Sequence, residues 1–106
     1  MNTIFDFSAL NFSDNEEITS LLAVGKNTRI ERIVSSGQVT PADFWYDQNQ
    51  HEFVMVLQGE AKILFEENQE KSFKQGDYLV IEKHVKHRVT YTSSHPKCIW
   101  LAIFYD

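Results

Sequence analysis

From Thr28 onward the chain is written as short β-favouring runs separated by turn signals at roughly 8–12-residue spacing, and this pattern most limits the folds open to it. Thr28–Val34 sets Ile30, Arg32 and Val34 against Arg29, Glu31 and Ile33, then stops at Ser35-Ser36-Gly37. Phe44-Trp45-Tyr46 is a strongly β-favouring triplet, and Phe53–Leu57 is a continuous apolar run. After Gly59 come Ala61–Phe65, the polar turn Glu67-Asn68-Gln69-Glu70, and Lys71-Ser72-Phe73. Gly76-Asp77 turns the chain again before Tyr78–Ile81, Arg88–Thr92 and Ile99–Phe104. Eight or so such strands predict an all-β sandwich or barrel.

Helical signals are confined to the start. Ser13-Asp14-Asn15-Glu16-Glu17 offers cap residues and early acids, with Asp14 and Glu17 at capping-box spacing, and Ile18, Leu21 and Leu22 follow at helical spacing. The spacing predicts one short helix over residues 14–22, ended by Gly25-Lys26-Asn27. With 106 residues and no repeat or linker, a single domain is expected: residues 1–25 as arm and helix, residues 26–106 as β-barrel.

Ten Lys+Arg against fifteen Asp+Glu give a net charge of −5, which argues against a nucleic-acid surface. No run approaches the ~18 apolar residues of a membrane span, and the first residues lack a basic segment followed by an apolar one, so no membrane partner and a cytoplasmic location are expected. The single cysteine, Cys98, fits a reducing compartment and heads an apolar strand, where it reads as a small buried hydrophobe rather than a nucleophile. Phe53–Leu57 and Ile99–Phe104 are apolar on both faces, so something must cover the outer face of the sheet. The cover is either the N-terminal helix or a second subunit, and a back-to-back homodimer is the expectation.

Two segments carry recognisable chemistry. In Glu52-Phe53-Val54-Met55-Val56-Leu57-Gln58-Gly59 a carboxylate precedes a glycine with six residues between them. In the segment from Gly76 to His87 a histidine follows a glycine by eleven residues, and 16 residues separate the two segments. Together they resemble the two motifs of the cupin superfamily, over about residues 28–105. The run from Phe44 through Glu52 also resembles a subgroup of small single-domain bacterial cupins. The resemblance implies a double-stranded β-helix, a jelly-roll barrel with a cavity at one end where metal-binding members hold a divalent ion.

Carried over by position, Glu52 matches the motif glutamate and His87 the second-motif histidine. The two first-motif histidines are absent; depending on the count, Tyr46 and Gln48 or Trp45 and Asp47 stand in their places. Glu82 stands where proline is usual and His84 where glycine is usual. Side chains two apart share a strand face, so Gln48 and Glu52 should point inward together, while His51 joins them only through an irregular turn. The candidate metal set is therefore Glu52, His87, Gln48, Asp47 and His51, a mixture suited to Zn, Fe, Mn or Ni. Trp45 and Tyr46, with Trp100, are candidates to stack on a small-molecule ligand. Each also has a plain structural reading: Glu52 as one half of an ion pair at the mouth, His87 as a core histidine bonded to backbone, His84 as a turn residue, the aromatics as core filling. His95, beside Pro96, reads as an exposed loop residue. The function expected is a cavity that binds a divalent metal, a small molecule or both, with a ligand-sensing module that has lost the metal as the alternative.

Overall fold

The computed structural model describes residues 1–8, 10 and 16–106. Among the described residues, eight strands account for nearly all regular structure: β1 (Ile18–Gly25), β2 (Thr28–Ser35), β3 (His51–Gln58), β4 (Ala61–Phe65), β5 (Gln69–Phe73), β6 (Tyr78–Ile81), β7 (His87–Thr92) and β8 (Cys98–Tyr105). A 3-10 turn, Glu66–Asn68, joins β4 to β5. All pairings are antiparallel, in a five-stranded sheet ordered β1-β2-β8-β3-β6 and a three-stranded sheet ordered β5-β4-β7. The sheets face one another without closing into a continuous barrel. Val54, Val56, Ile81 and Trp100 from the first sheet meet Ala61, Ile63 and Phe73 from the second to form the core.

The expected N-terminal helix is not seen. Asp14 and Asn15 lie outside the described residues, and Ile18–Leu22 belong to strand β1, which pairs with β2 from Ile18↔Val34 to Gly25↔Thr28. A helix here would leave the β2 edge unpaired, whereas a hairpin through Lys26-Asn27 satisfies both backbones. Asn27 supplies the positive φ of 61° that the tight turn needs. Ladder pairing overrides the helical spacing of Ile18, Leu21 and Leu22. The Phe44-Trp45-Tyr46 triplet also departs from expectation, since only Tyr46 makes a bridge, to His87. The connection from β2 to β3 is instead strapped to β7 by side chains: Arg88 donates to the carbonyls of Thr40 and Ala42 at 3.1 and 2.9 Å, and the Val89 amide donates to Thr40 Oγ1 at 2.9 Å.

Register fixes what each face carries. The row Arg29, Phe104, Glu52, Ile81 crosses β2, β8, β3 and β6 on the inner face. On the outer face run two further rows: Ile30, Ile103, Phe53, Val80 and Arg32, Leu101, Met55, Tyr78. The N-terminal arm crosses the β2 end of that outer face, where Arg32 Nη1 donates to the carbonyls of Ile4 and Asp6 at 3.0 and 2.7 Å. Toward β6 the face is open, and Tyr78 and Val80 are 64% and 44% exposed. Among the described residues no helix is long and apolar enough to cross a membrane.

Candidate functional site

A cavity of about 220 Å³ opens between the sheets at the end where β2, β3 and β8 carry the row of Arg29, Phe104 and Glu52. Its interior is apolar, with Val54, Ile63, Val89 and Trp100 among the lining, while Glu17, Arg29, Glu31, Tyr46, Gln48, Glu52 and His87 supply the polar groups. Strand alternation explains this mixture. Glu52 and Val54 share the inner face of β3, and His87 and Val89 share that of β7.

Glu52 and His87 form its chemical centre. Both are buried, at 8% and 5% exposure, and Glu52 Oε1 lies 3.7 Å from His87 Nε2. His87 Nδ1 sits 3.0 Å from the Val85 carbonyl, which can only accept, so Nδ1 carries a proton and Nε2 is the ring nitrogen turned toward Glu52. The imidazole is held flat by Tyr46, stacked at 5.5 Å and 26°, and reciprocal backbone bonds at 2.8 and 3.1 Å tie the two residues together. Burial raises the Tyr46 phenol above its usual value, and the Glu17 carboxylate and, less strongly, Glu52 push the same way while a hydrogen bond with Thr40 opposes them. Arg29 is already occupied: Nε donates to Glu31 Oε2 at 2.9 Å, Nη1 to Gln50 Oε1 at 3.2 Å, and the guanidinium lies 4.0 Å above the Phe104 ring.

Of the residues singled out by sequence, Glu52, His87, Gln48 and Tyr46 line the cavity together with Trp100. Asp47, His51 and Trp45 do not. Asp47 accepts from His84 Nδ1 at 2.9 Å, and His51 turns outward, its Nδ1 accepting from the Lys83 amide at 3.1 Å. Trp45 lies beneath the Arg88 guanidinium at 5.9 Å. His84 holds φ at 65°, the left-handed region, which is why glycine suits this turn. Cys98 is fully buried, and burial, assisted by Glu17, pushes its thiol up to about 12. Glu17, Thr19, Arg29, Glu31 and Phe104 also line the cavity and were missed. The signal for Arg29 and Glu31 was present, because they alternate with Ile33 on one face of β2. The apolar Ile30 and Val34 made the opposite face look like the core.

The donor set tests whether a metal belongs here. A catalytic metal ordinarily has three protein ligands. The cavity offers one imidazole and one carboxylate in contact, and among the described residues no group of three His, Cys, Asp or Glu side chains could hold an ion. The residues present do not fit a resident divalent metal.

Similarity to known proteins agrees with the architecture. A crystal structure from Ralstonia eutropha JMP134, named as a candidate mannose-6-phosphate isomerase, superposes with a TM-score of 0.89 at 36% identity, over 100% of this chain and 97% of that one. A cupin superfamily protein from Desulfitobacterium hafniense DCB-2 matches at 0.74 and 21% identity, over 93% and 86% of the two chains. A substrate complex of the iron(II) enzyme HppE matches at 0.70 and 18% identity, over 83% of this chain and 53% of that one. The last two likenesses bear on the fold alone. No protein of curated function matches the sequence. Residues 32–104 match the family described as the Cupin domain, and the chain belongs to the cupin family.

Proposed function

We propose that this cupin captures a small organic molecule in the cavity between its sheets, and that Glu52 and His87 are the groups that meet it. The observation that carries the reading is a buried carboxylate and a buried imidazole facing each other at 3.7 Å across a cavity, too far apart for a hydrogen bond. Both groups reach the cavity with hydrogen-bonding capacity that neither spends on the other, and a ligand with a hydrogen-bond donor can use it. His87 Nε2 can take or give a proton there, Tyr46 holds the ring in position, and Gln48 adds an amide at the lining. The Ralstonia relative's name points to mannose 6-phosphate. A phosphorylated sugar is the poorer fit, because Arg29, the one fixed cation in the lining, is already paired with Glu31.

The test is ligand-observed NMR with a panel of small metabolites on the parent, Glu52→Gln and His87→Gln, alongside elemental analysis of protein purified without chelator. Saturable binding weakened at least tenfold in both variants supports the reading. Binding indifferent to both variants overturns it, and near-stoichiometric metal lost in either variant returns the site to metal chemistry.

The assembly we propose for it is a back-to-back homodimer. The support is the β6 end of the two outer-face rows, where Tyr78 and Val80 stand exposed beyond the part of the face that the arm crosses.

A further inference from the structure

We propose that the ligand of this cavity is a compact organic cation, an ammonium group on a small apolar or aromatic body. The inference rests on the reading of the cavity as a ligand site and adds its chemical class. The lining holds three carboxylates, Glu17, Glu31 and Glu52, against the single guanidinium of Arg29. Arg29 and Glu31 neutralise each other at 2.9 Å. That leaves Glu17, which accepts one hydroxyl donor from Ser35 at 2.9 Å, and Glu52. The Glu52 side chain is 11% exposed, lines the cavity and makes no hydrogen bond among the described residues; its ionic contact with His87 is beyond hydrogen-bond range.

The missing element is a donor. With Nδ1 given to Val85, His87 turns Nε2 toward the carboxylate but stays 3.7 Å away, so Glu52 receives no hydrogen bond from it. An ammonium brings three N–H donors and a positive charge, which answers the Glu52 carboxylate and the acidic lining around it. Tyr46 and Trp100 bring aromatic rings to the lining, which attract a cation at close range, and Val54, Ile63 and Val89 suit an apolar body. About 220 Å³ is below the ~300–1,000 Å³ of drug-sized sites, so the body is small. Phosphates and carboxylates are held by unpaired Arg or Lys side chains or by helix N-termini, and among the described residues the lining has neither.

The experiment is a proton–nitrogen NMR titration of the full chain at pH 7 with benzylamine, its neutral isostere benzyl alcohol, benzoate, and mannose 6-phosphate with and without manganese(II) chloride. Benzylamine is expected to shift the Tyr46, Glu52 and His87 amides and the Trp100 indole saturably, with at least tenfold higher affinity than benzyl alcohol. Benzoate and mannose 6-phosphate are expected to give no saturable shift. Glu52→Gln and Glu17→Gln should each weaken benzylamine at least fivefold and leave benzyl alcohol unchanged; if the spectrum shows Glu52→Gln unfolded, Glu17→Gln decides. Equal affinity for amine and alcohol, or tighter binding of either anion, overturns the cation while leaving the cavity a ligand site. No saturable shift with any of the compounds removes both.

Discussion

Gly59 follows β3 with φ at 82°, and a Cβ there would meet Ser93 Oγ, the Lys97 carbonyl at 2.9 Å and Cys98 Cα at 3.0 Å. Backbone atoms cannot move aside as a flexible side chain can. Gly59→Ala is therefore expected to lower the unfolding free energy by about 2–4 kcal/mol, read from urea midpoints at constant slope. Cys98 sets a second expectation. Its thiol is raised from 9.0 to about 12 by burial, so the folded state keeps a proton that the unfolded chain releases. Stability from this source is full below pH 9 and falls as pH rises toward 12, by up to about 4 kcal/mol across that window. Tyr46, also raised by burial, loses stability in the same direction above pH 10. Parent and Cys98→Ala, compared by denaturant unfolding from pH 8 to 11, should diverge in slope, and native Cys98 should resist a thiol reagent at pH 8. Parallel slopes would show that the thiol is free to ionise in the folded state.

The N-terminal arm is an element without regular structure that nonetheless satisfies a buried charge. Arg32 is 7% exposed, and its Nη1 has two carbonyl acceptors from the arm while Nη2 donates to Ser20 Oγ at 3.2 Å. Removing residues 1–8 is expected to cost about 1–3 kcal/mol, because a guanidinium loses two charge-assisted bonds. The same truncation in an Arg32→Met background should cost less than half as much, read from denaturant midpoints. Equal costs in the two backgrounds would place the arm's contribution elsewhere. The strands of the β region were legible because each is bounded by Gly, Asn, Asp or Ser turns, and Tyr78–Ile81 begins and ends where the sequence placed it. β1 was not, because Ile18, Leu21 and Leu22 fit a helical stripe locally, and only pairing with β2, a tertiary fact, selects the strand. Glu52 and His87 were legible through motif spacing. Arg29 and Glu31 were not, because β2 is half-buried or buried on both faces and the polar face turned out to line the cavity.

The accessible surface of the chain is 6841 Å², whereas a compact monomer of this mass exposes roughly 6,100 Å². The excess, on the order of 700 Å², approaches the ~800 Å² per partner of a standard interface. The arm carries some of it, and the outer rows ending at Tyr78 and Val80 carry apolar surface that a two-fold partner would cover with the same rows. Such a dimer leaves both cavities open, because the rows lie on the opposite face of the sheet from Glu52. Light scattering behind size exclusion should give twice the chain mass at micromolar concentration. Tyr78→Lys with Val80→Lys should give the chain mass, since four like charges would meet across the two-fold, while ligand titration of the cavity stays unchanged. Both side chains are exposed in the single chain, so the substitutions should leave its fold intact. A parent that stays monomeric at 100 micromolar would remove the dimer. A double variant that stays dimeric would move the interface to another surface, with the unpaired edge of β1, where Leu21 and Val24 are 60% and 71% exposed, next in line.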